Sequence, residues 1–312
     1  MVTGVAAMTA AELREADGVI TEVVDDLRLR KGPEDDVARF QRLYEKALRA
    51  VLTGRIDAVE SLNFEGQLRT VLAEAERILG PELATELEPA TRRYLERAFR
   101  AGHAIRGVGR SIQTLFDKPR QEAVDWLVRH DRFWIGKVFP EHVRDSFRDT
   151  IVGGLDEGLG RKAIGRRLRD LMAGTKDAPG KLELYNRVAA ASVNRAHNWG
   201  GMFSLEEARV EEYVFRAVMD ERTSRICREL NGRVFSVPRV MSVVRQTLDG
   251  PPSAIESIAP WPTFDADRND FFVQTGERRA YLKSKSSDWL AEHGIALPPL
   301  HGSCRSVVVL NR

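Results

Sequence analysis

Apolar side chains recur at three- and four-residue intervals through nearly the whole chain up to Arg209, and there the pattern stops. A period near 3.6 puts those side chains on one stripe of an α-helix, a stripe that is stable only when buried against another element. From Thr9 to Arg30 the stripe is Ala10, Leu13, Val19, Ile20, Val23, Val24 and Leu27, with Thr9 as N-cap ahead of Glu12 and Gly32-Pro33 as the stop. Helices are predicted again over Pro33–Leu52, Glu65–Leu79, Pro81–Ile105, Lys118–Val138 and Pro140–Glu157. A Gly158-Leu159-Gly160 break then leads into a short basic helix with Ile164, Leu168 and Leu171 on its apolar side. A breaker-rich hinge, Thr175–Gly180, separates it from a long helix over Lys181–Arg209.

Beyond Val210 the character changes. Glu211–Met219 is short and rich in β-formers, Asn231-Gly232 is a turn signal before a second strand at Arg233–Val237, and Val307–Leu310 is a third, wholly apolar one. Between the second and third strands, Pro251-Pro252, Trp261-Pro262 and a polar run to Asp288 predict an irregular excursion. The fold class is therefore α+β and predominantly α: an N-terminal helical region followed by a small β-containing C-terminal module. The expected division is a helical domain over 1–157, connecting helices over 158–210 and the α+β module over 211–312.

Composition narrows the function classes. The 312 residues carry 43% hydrophobic and 30% charged side chains, ordinary values for a globular protein. No apolar run approaches the ~20 residues that cross a bilayer, and the first residues lack the basic flank of a signal peptide, so folding in a reducing cytosol is expected. Two cysteines are too few for a disulfide framework. A formal charge of +2 does not announce nucleic-acid binding by the whole chain. Walker A, dinucleotide-glycine, His-Glu-x-x-His and Gly-x-Ser-x-Gly patterns are lacking, and no nucleophile–base pair has a recognisable spacing, so no enzymatic activity is expected.

The residues with chemical potential concentrate near the C-terminal end. Cys227 and a His301-x-x-Cys304 pair supply three soft ligands where a structural zinc takes four, with Asp220 a candidate fourth. The same three side chains also suit a small packed core or a single disulfide. Asp220 and Thr223 are residue types that organise a turn through the backbone, and either Arg222 or Arg305 can pair with Asp220. Arg161, Lys162, Arg166, Arg167 and Arg169 fall mostly off the apolar stripe of their helix, giving either a phosphate-contacting face or partners for the acidic helices. Asp265, Asp267, Arg268 and Asp270 are the polar candidates for a nuclease-like or toxin-like alternative, or else a surface loop. His197 beside Asn198 reads as a capping or packing histidine, Trp199 and Trp261 as core or contact anchors, and Gly200-Gly201 as a place where another backbone approaches.

Two separated segments share a pattern. Asp220–Phe235 reads D-x-R-T-x-x-x-C-x-x-L-x-G-x-x-F, through Asp220, Arg222, Thr223, Cys227, Leu230, Gly232 and Phe235, and Pro298–Arg305 reads P-P-L-H-x-x-C-R, through His301, Cys304 and Arg305. Together with Gly153–Leu171 and Asn194–Gly200, they resemble the phage head morphogenesis family, also called Mu F-like minor head proteins. Many members carry further cysteines at the positions of Ser224 and Ser306. The resemblance spans Gly153 to Arg312 and implies a non-enzymatic virion component. Its partners would be the portal protein, the major capsid protein or both, with packaged DNA a further candidate through the basic helix; no cofactor is required, and zinc is one of the readings of the cysteines. It implies residence in the capsid interior or at the portal vertex after assembly in the host cytoplasm.

Overall fold

The computed structural model describes residues 33–60, 62, 68–103, 118–174 and 180–311. The predicted helix Thr9–Arg30 and hinge residues 175–179 lie outside these ranges. The body consists of α1 (Pro33–Glu60), α2 (Leu68–Arg77), α3 (Leu83–His103), α4 (Lys118–Val138), α5 (Arg144–Asp156), α6 (Arg161–Ala173) and α7 (Leu182–Glu207). Helix α1 runs past the predicted end at Leu52 because Leu52, Ile56 and Val59 continue its buried stripe and Gly54 sits on the outer side. Pro81 and Pro140, expected to start new helices, instead lie in wide π turns at Ile78–Glu82 and Phe139–Val143 that carry the chain from one helix into the next. A proline has no N–H to donate, so the hydrogen-bond ladder widens there without a break in direction.

Helix α7 is the axis of the molecule. It packs against α1, α3 and α4, and every residue from Ala189 to Met202 is buried. A helix buried all round shows no clean amphipathic stripe, and its polar residues must find partners inside the protein.

The chain then builds two small antiparallel sheets. In the first, β1 (Glu212–Arg216) lies between β2 (Val234–Ser236) and β6 (Val307–Leu310), with Val214 opposite Val234 on one side and Val309 on the other. A short helix α8 (Arg225–Leu230) fills the β1–β2 connection. Gly232 closes it at φ +81°, where a side chain would be strained, and its N–H bonds Phe215 O at 2.8 Å. All three predicted strands are present, the first two with shorter bounds and the third, Val307–Leu310, with the bounds expected.

The expected irregular excursion is replaced by ordered elements: α9 (Val237–Asp249), α10 (Ile255–Ile258), α11 (Ser287–Glu292), and a meander of β3 (Thr263–Asp265), β4 (Asp270–Thr275) and β5 (Arg278–Tyr281). The meander faces solvent with charged side chains, which hid its alternation, while Phe271 and Val273 are buried. Buried side chains from Phe40 to Val308 form one continuous hydrophobic cluster, and β6 lies against α7. Among the described residues no helix is long and apolar enough to cross a membrane.

Candidate functional site

The turn before α8 is made by the residues of the first sequence segment. Asp220 accepts hydrogen bonds from Arg222 N–H and Thr223 Oγ1, both at 3.0 Å, and Thr223 Oγ1 also bonds Val218 O. Ser224 caps α8 by accepting from Cys227 N–H at 3.4 Å, which turns the Cys227 side chain inward. Arg305, from the second segment, grips Asp220 with two bonds of 2.8 and 2.6 Å. Of the two arginines considered for Asp220, Arg305 makes the ion pair and Arg222 contributes only its backbone. That fork, with the bonds from Thr223 and the Arg222 backbone, holds the Asp220 carboxyl well below the usual carboxylate range.

Behind the ion pair, Cys227, His301 and Cys304 converge, with their ligand atoms within 4.8 Å of one another. Cys227 Sγ stands 3.7 Å from Cys304 Sγ and 3.4 Å from His301 Nε2. Tetrahedral zinc, with bonds of about 2.3 Å to sulfur and about 2.0 Å to nitrogen, spaces two sulfurs about 3.8 Å apart and a sulfur and nitrogen about 3.5 Å apart. Two edges of a tetrahedral face therefore match, and the third pair, His301 and Cys304, lies within 4.8 Å. Ser224 Oγ lies 2.9 Å from His301 Nε2. Asp220 is outside the group of converging ligand atoms, with both oxygens on Arg305. Hydrogen bonding from Cys304, and after it from His301, Ser224 and Ser306, holds the Cys227 thiol well below the usual thiol range despite burial. Burial, then the neighbouring Cys227 sulfur, pushes Cys304 up. A lowered Cys227 thiol favours the thiolate, which is the form that binds metals.

The remaining signature residues brace this site. Phe235 is buried against the Tyr213 ring at 5.8 Å, and Asn231 Oδ1 accepts from Ala217 N–H at 2.9 Å. The 304–308 segment is tied to the body by side chains that sequence reasoning did not single out for this: Gln41 Nε2 donates to Cys304 O at 2.9 Å, and Asn194 Nδ2 to Ser306 O at 3.0 Å. His197 is a packing histidine, its two ring nitrogens without a hydrogen-bond partner among the described residues. Trp199 is buried, while Trp261 is exposed and anchors through its indole N–H on Pro299 O at 3.1 Å.

The basic face of α6 is partly neutralised. Arg167 makes a double bond-pair with Glu157, and Arg169 bonds Asp57 at 2.5 Å. Lys162 and Arg166 are exposed, and the Arg161 side chain is outside the description. In the β3–β4 turn, Asp265 accepts from Tyr281 OH and from the Asp267 and Arg268 backbone, and Asp270 from the Phe271 and Lys283 backbone. Two acids of the nuclease alternative, Asp265 and Asp270, thus hold the meander together with their carboxylates.

Residues 145–255 match the family model for Phage Mu protein F like protein. The stretch runs from α5 to the first residue of α10, and the resemblance carried by the sequence patterns is borne out over it. The second segment, with His301, Cys304 and Arg305, lies beyond the matched residues and meets the first in space. Neither a comparison with curated proteins nor one with solved structures gives a match.

Proposed function

We propose that this Mu F-like chain is a non-enzymatic minor head protein of a tailed phage, prophage or gene-transfer particle, acting in head assembly or DNA delivery at the portal or inner capsid. The observation that carries the reading is the family match over 145–255, a stretch whose first sequence segment is clasped by the second through Arg305 and Asp220. The turn-building role of Asp265 and Asp270 favours it over a nuclease. Portal protein, major capsid protein or both are the partners this reading assigns to the helical half. Particles made without the chain are expected to be depleted in DNA content or infectivity, and the chain to co-purify with portal or capsid protein. Normal, infectious particles in its absence overturn the reading.

Within that role, Cys227, His301 and Cys304 hold a zinc ion that braces the two segments, with solvent, Ser224 or a released Asp220 as fourth ligand. Such a brace stabilises the folded module because the unfolded chain cannot present the ligands together. Purified protein is expected to carry close to one zinc per chain, lost in Cys227→Ser and Cys304→Ser; metal content far below that in the parent protein defeats the zinc reading. Lys162 and Arg166, exposed and without an ion-pair partner among the described residues, support a contact with packaged DNA. Charge reversal at Arg166 and Arg167 is expected to weaken DNA binding and lower its salt slope by roughly one per lost phosphate contact. An unchanged slope leaves the face as solvated surface.

A further inference from the structure

Cys227 and Cys304 are the two cysteines of the 312 residues, and both are free thiols in the fold. They stand 77 positions apart in the chain, yet their sulfurs touch at 3.7 Å. Each is carried by an anchored segment. Cys227 sits in the first turn of α8 under its Ser224 cap, and the Cys304 carbonyl is held by Gln41. A disulfide sets its sulfurs about 2.05 Å apart, so closing the bond asks for a movement within the reach of side-chain rotation.

The surroundings give the two thiols different positions. Cys227 bonds His301 and lies beside Ser224, both half-exposed, so it is the sulfur that a small oxidant meets first. Cys304 lies behind it at 0% exposure. With no third cysteine in the chain, the product is either the 227–304 bond or a bond between two chains. Burial of both sulfurs blocks the second.

We propose that Cys227 and Cys304 are a site of reversible covalent modification, joined as an intramolecular disulfide when the protein meets an oxidising medium. A peroxide is the class of oxidant that fits the access. The Cys227 sulfur attacks one peroxide oxygen, the O–O bond breaks, and hydroxide leaves with the thiol proton as water. The Cys304 sulfur then attacks the Cys227 sulfur, the S–O bond breaks, and the oxygen leaves with the Cys304 proton as a second water. The two sulfurs lose two electrons and the peroxide gains them. The oxidised pair has no thiolate left for a metal, so this proposal takes the zinc reading as the reduced state of the same site. A chain folded in a reducing cytosol and then carried outside the cell in a particle passes from one state to the other.

Hydrogen peroxide, added to full-length protein that has been reduced and stripped of metal, tests the bond. Thiol titration in denaturant is expected to fall from two per chain to none, with a monomer on a non-reducing gel, a Cys227–Cys304 peptide pair by mass spectrometry, and recovery of both thiols with dithiothreitol. The cross-link closes a 77-residue loop of the unfolded chain, so the oxidised protein is expected to melt roughly 5 °C or more above the metal-free reduced form. Cys304→Ser is expected to stop at a Cys227 sulfenic acid that dimedone captures. Protein loaded with zinc beforehand is expected to cross-link roughly tenfold more slowly; equal rates overturn the zinc reading, while the cross-link itself still supports the disulfide. Both thiols surviving peroxide, cross-linked dimers, Cys227 sulfinic acid without the bond, or an oxidised form that melts below the reduced one overturns the proposal.

Discussion

Asn198 uses its amide as a piece of β-strand. Nδ2 donates to Ser306 O at 3.2 Å and Oδ1 accepts from Val308 N–H at 2.9 Å, so a helical side chain satisfies the backbone of β6 on the side that no strand covers. Both groups are buried, and truncation strands them. Asn198→Ala is expected to cost about 2–4 kcal/mol, measured by urea unfolding, whereas an exposed change such as Arg166→Ala is expected to stay within about 0.5 kcal/mol. One residue earlier, burial pulls His197 from its ordinary value down to about 4. The sign follows directly. Unfolded chains bind this proton below about pH 6.5 while the folded protein refuses it until about pH 4, so stability is complete above 6.5 and falls as pH drops through that window. Burial, and then the Arg195 charge, push His130 the same way. His197→Met is expected to flatten the loss between pH 7 and 5 by about 2 kcal/mol at most, read as a smaller change in the urea midpoint. An unaltered pH profile contradicts burial as the cause.

At the scale of elements, the α3–α7 crossing depends on two glycines. A Cβ on Gly200 would stand 1.9 Å from Phe99 O, and one on Gly102 would stand 1.8 Å from His197 O, so each helix presents a glycine to the other's backbone. Either Gly→Ala forces the helices apart. Each is expected to lower stability by about 1–3 kcal/mol or more even though alanine favours helix, and the double variant to fall short of the sum because one displacement accommodates both. Equal or increased thermal stability of Gly200→Ala contradicts the close approach. This feature was legible beforehand at Gly200, whereas Gly102 gave no signal, since a lone glycine inside an amphipathic run has many explanations. The same contrast holds elsewhere. The helices were legible because apolar stripes set their faces, and β1, β2 and β6 because their composition is plain. Helix α9 was not, since Val237, Val240, Val243 and Val244 are β-branched residues with weak helix propensity. Its Ser236 N-cap, early Pro238 and Gly250 stop were the signals available. Of the candidate site, the meeting of Cys227, His301 and Cys304 was readable from residue type. The clamps from Gln41, Asn194 and Asn198 were not, because their partners are backbone atoms that any sequence supplies.

For the whole molecule, those clamps decide how the two ends of the chain share stability. Gln41 Nε2 bonds Ala190 O at 3.0 Å and Cys304 O at 2.9 Å, so one side chain of α1 holds both the axial helix and the cysteine segment. Val307 and Val308 are buried, and Val308 belongs to the same hydrophobic cluster as Phe40 and Trp126. Burial of that kind is worth roughly 1.5–3 kcal/mol per large side chain, comparable with a large share of a typical domain's net stability. The chain is therefore expected to unfold in one transition, with the buried Trp126 and Trp199 of the body and Trp261 and Trp289 of the tail reporting the same midpoint. Shortening the chain to end at Leu297 removes β6, Leu300, Cys304 and Arg305 together. It unpairs an edge of β1, takes from Asn194 and Asn198 their backbone partners near β6, and takes Arg305 from Asp220. The shortened protein is expected to lose cooperative unfolding in circular dichroism and to bind a hydrophobic dye. If it keeps a sharp transition at the parent midpoint, the helical body is self-sufficient, and the bonds from Gln41, Asn194 and Asn198 merely attach a tail that the body does not need.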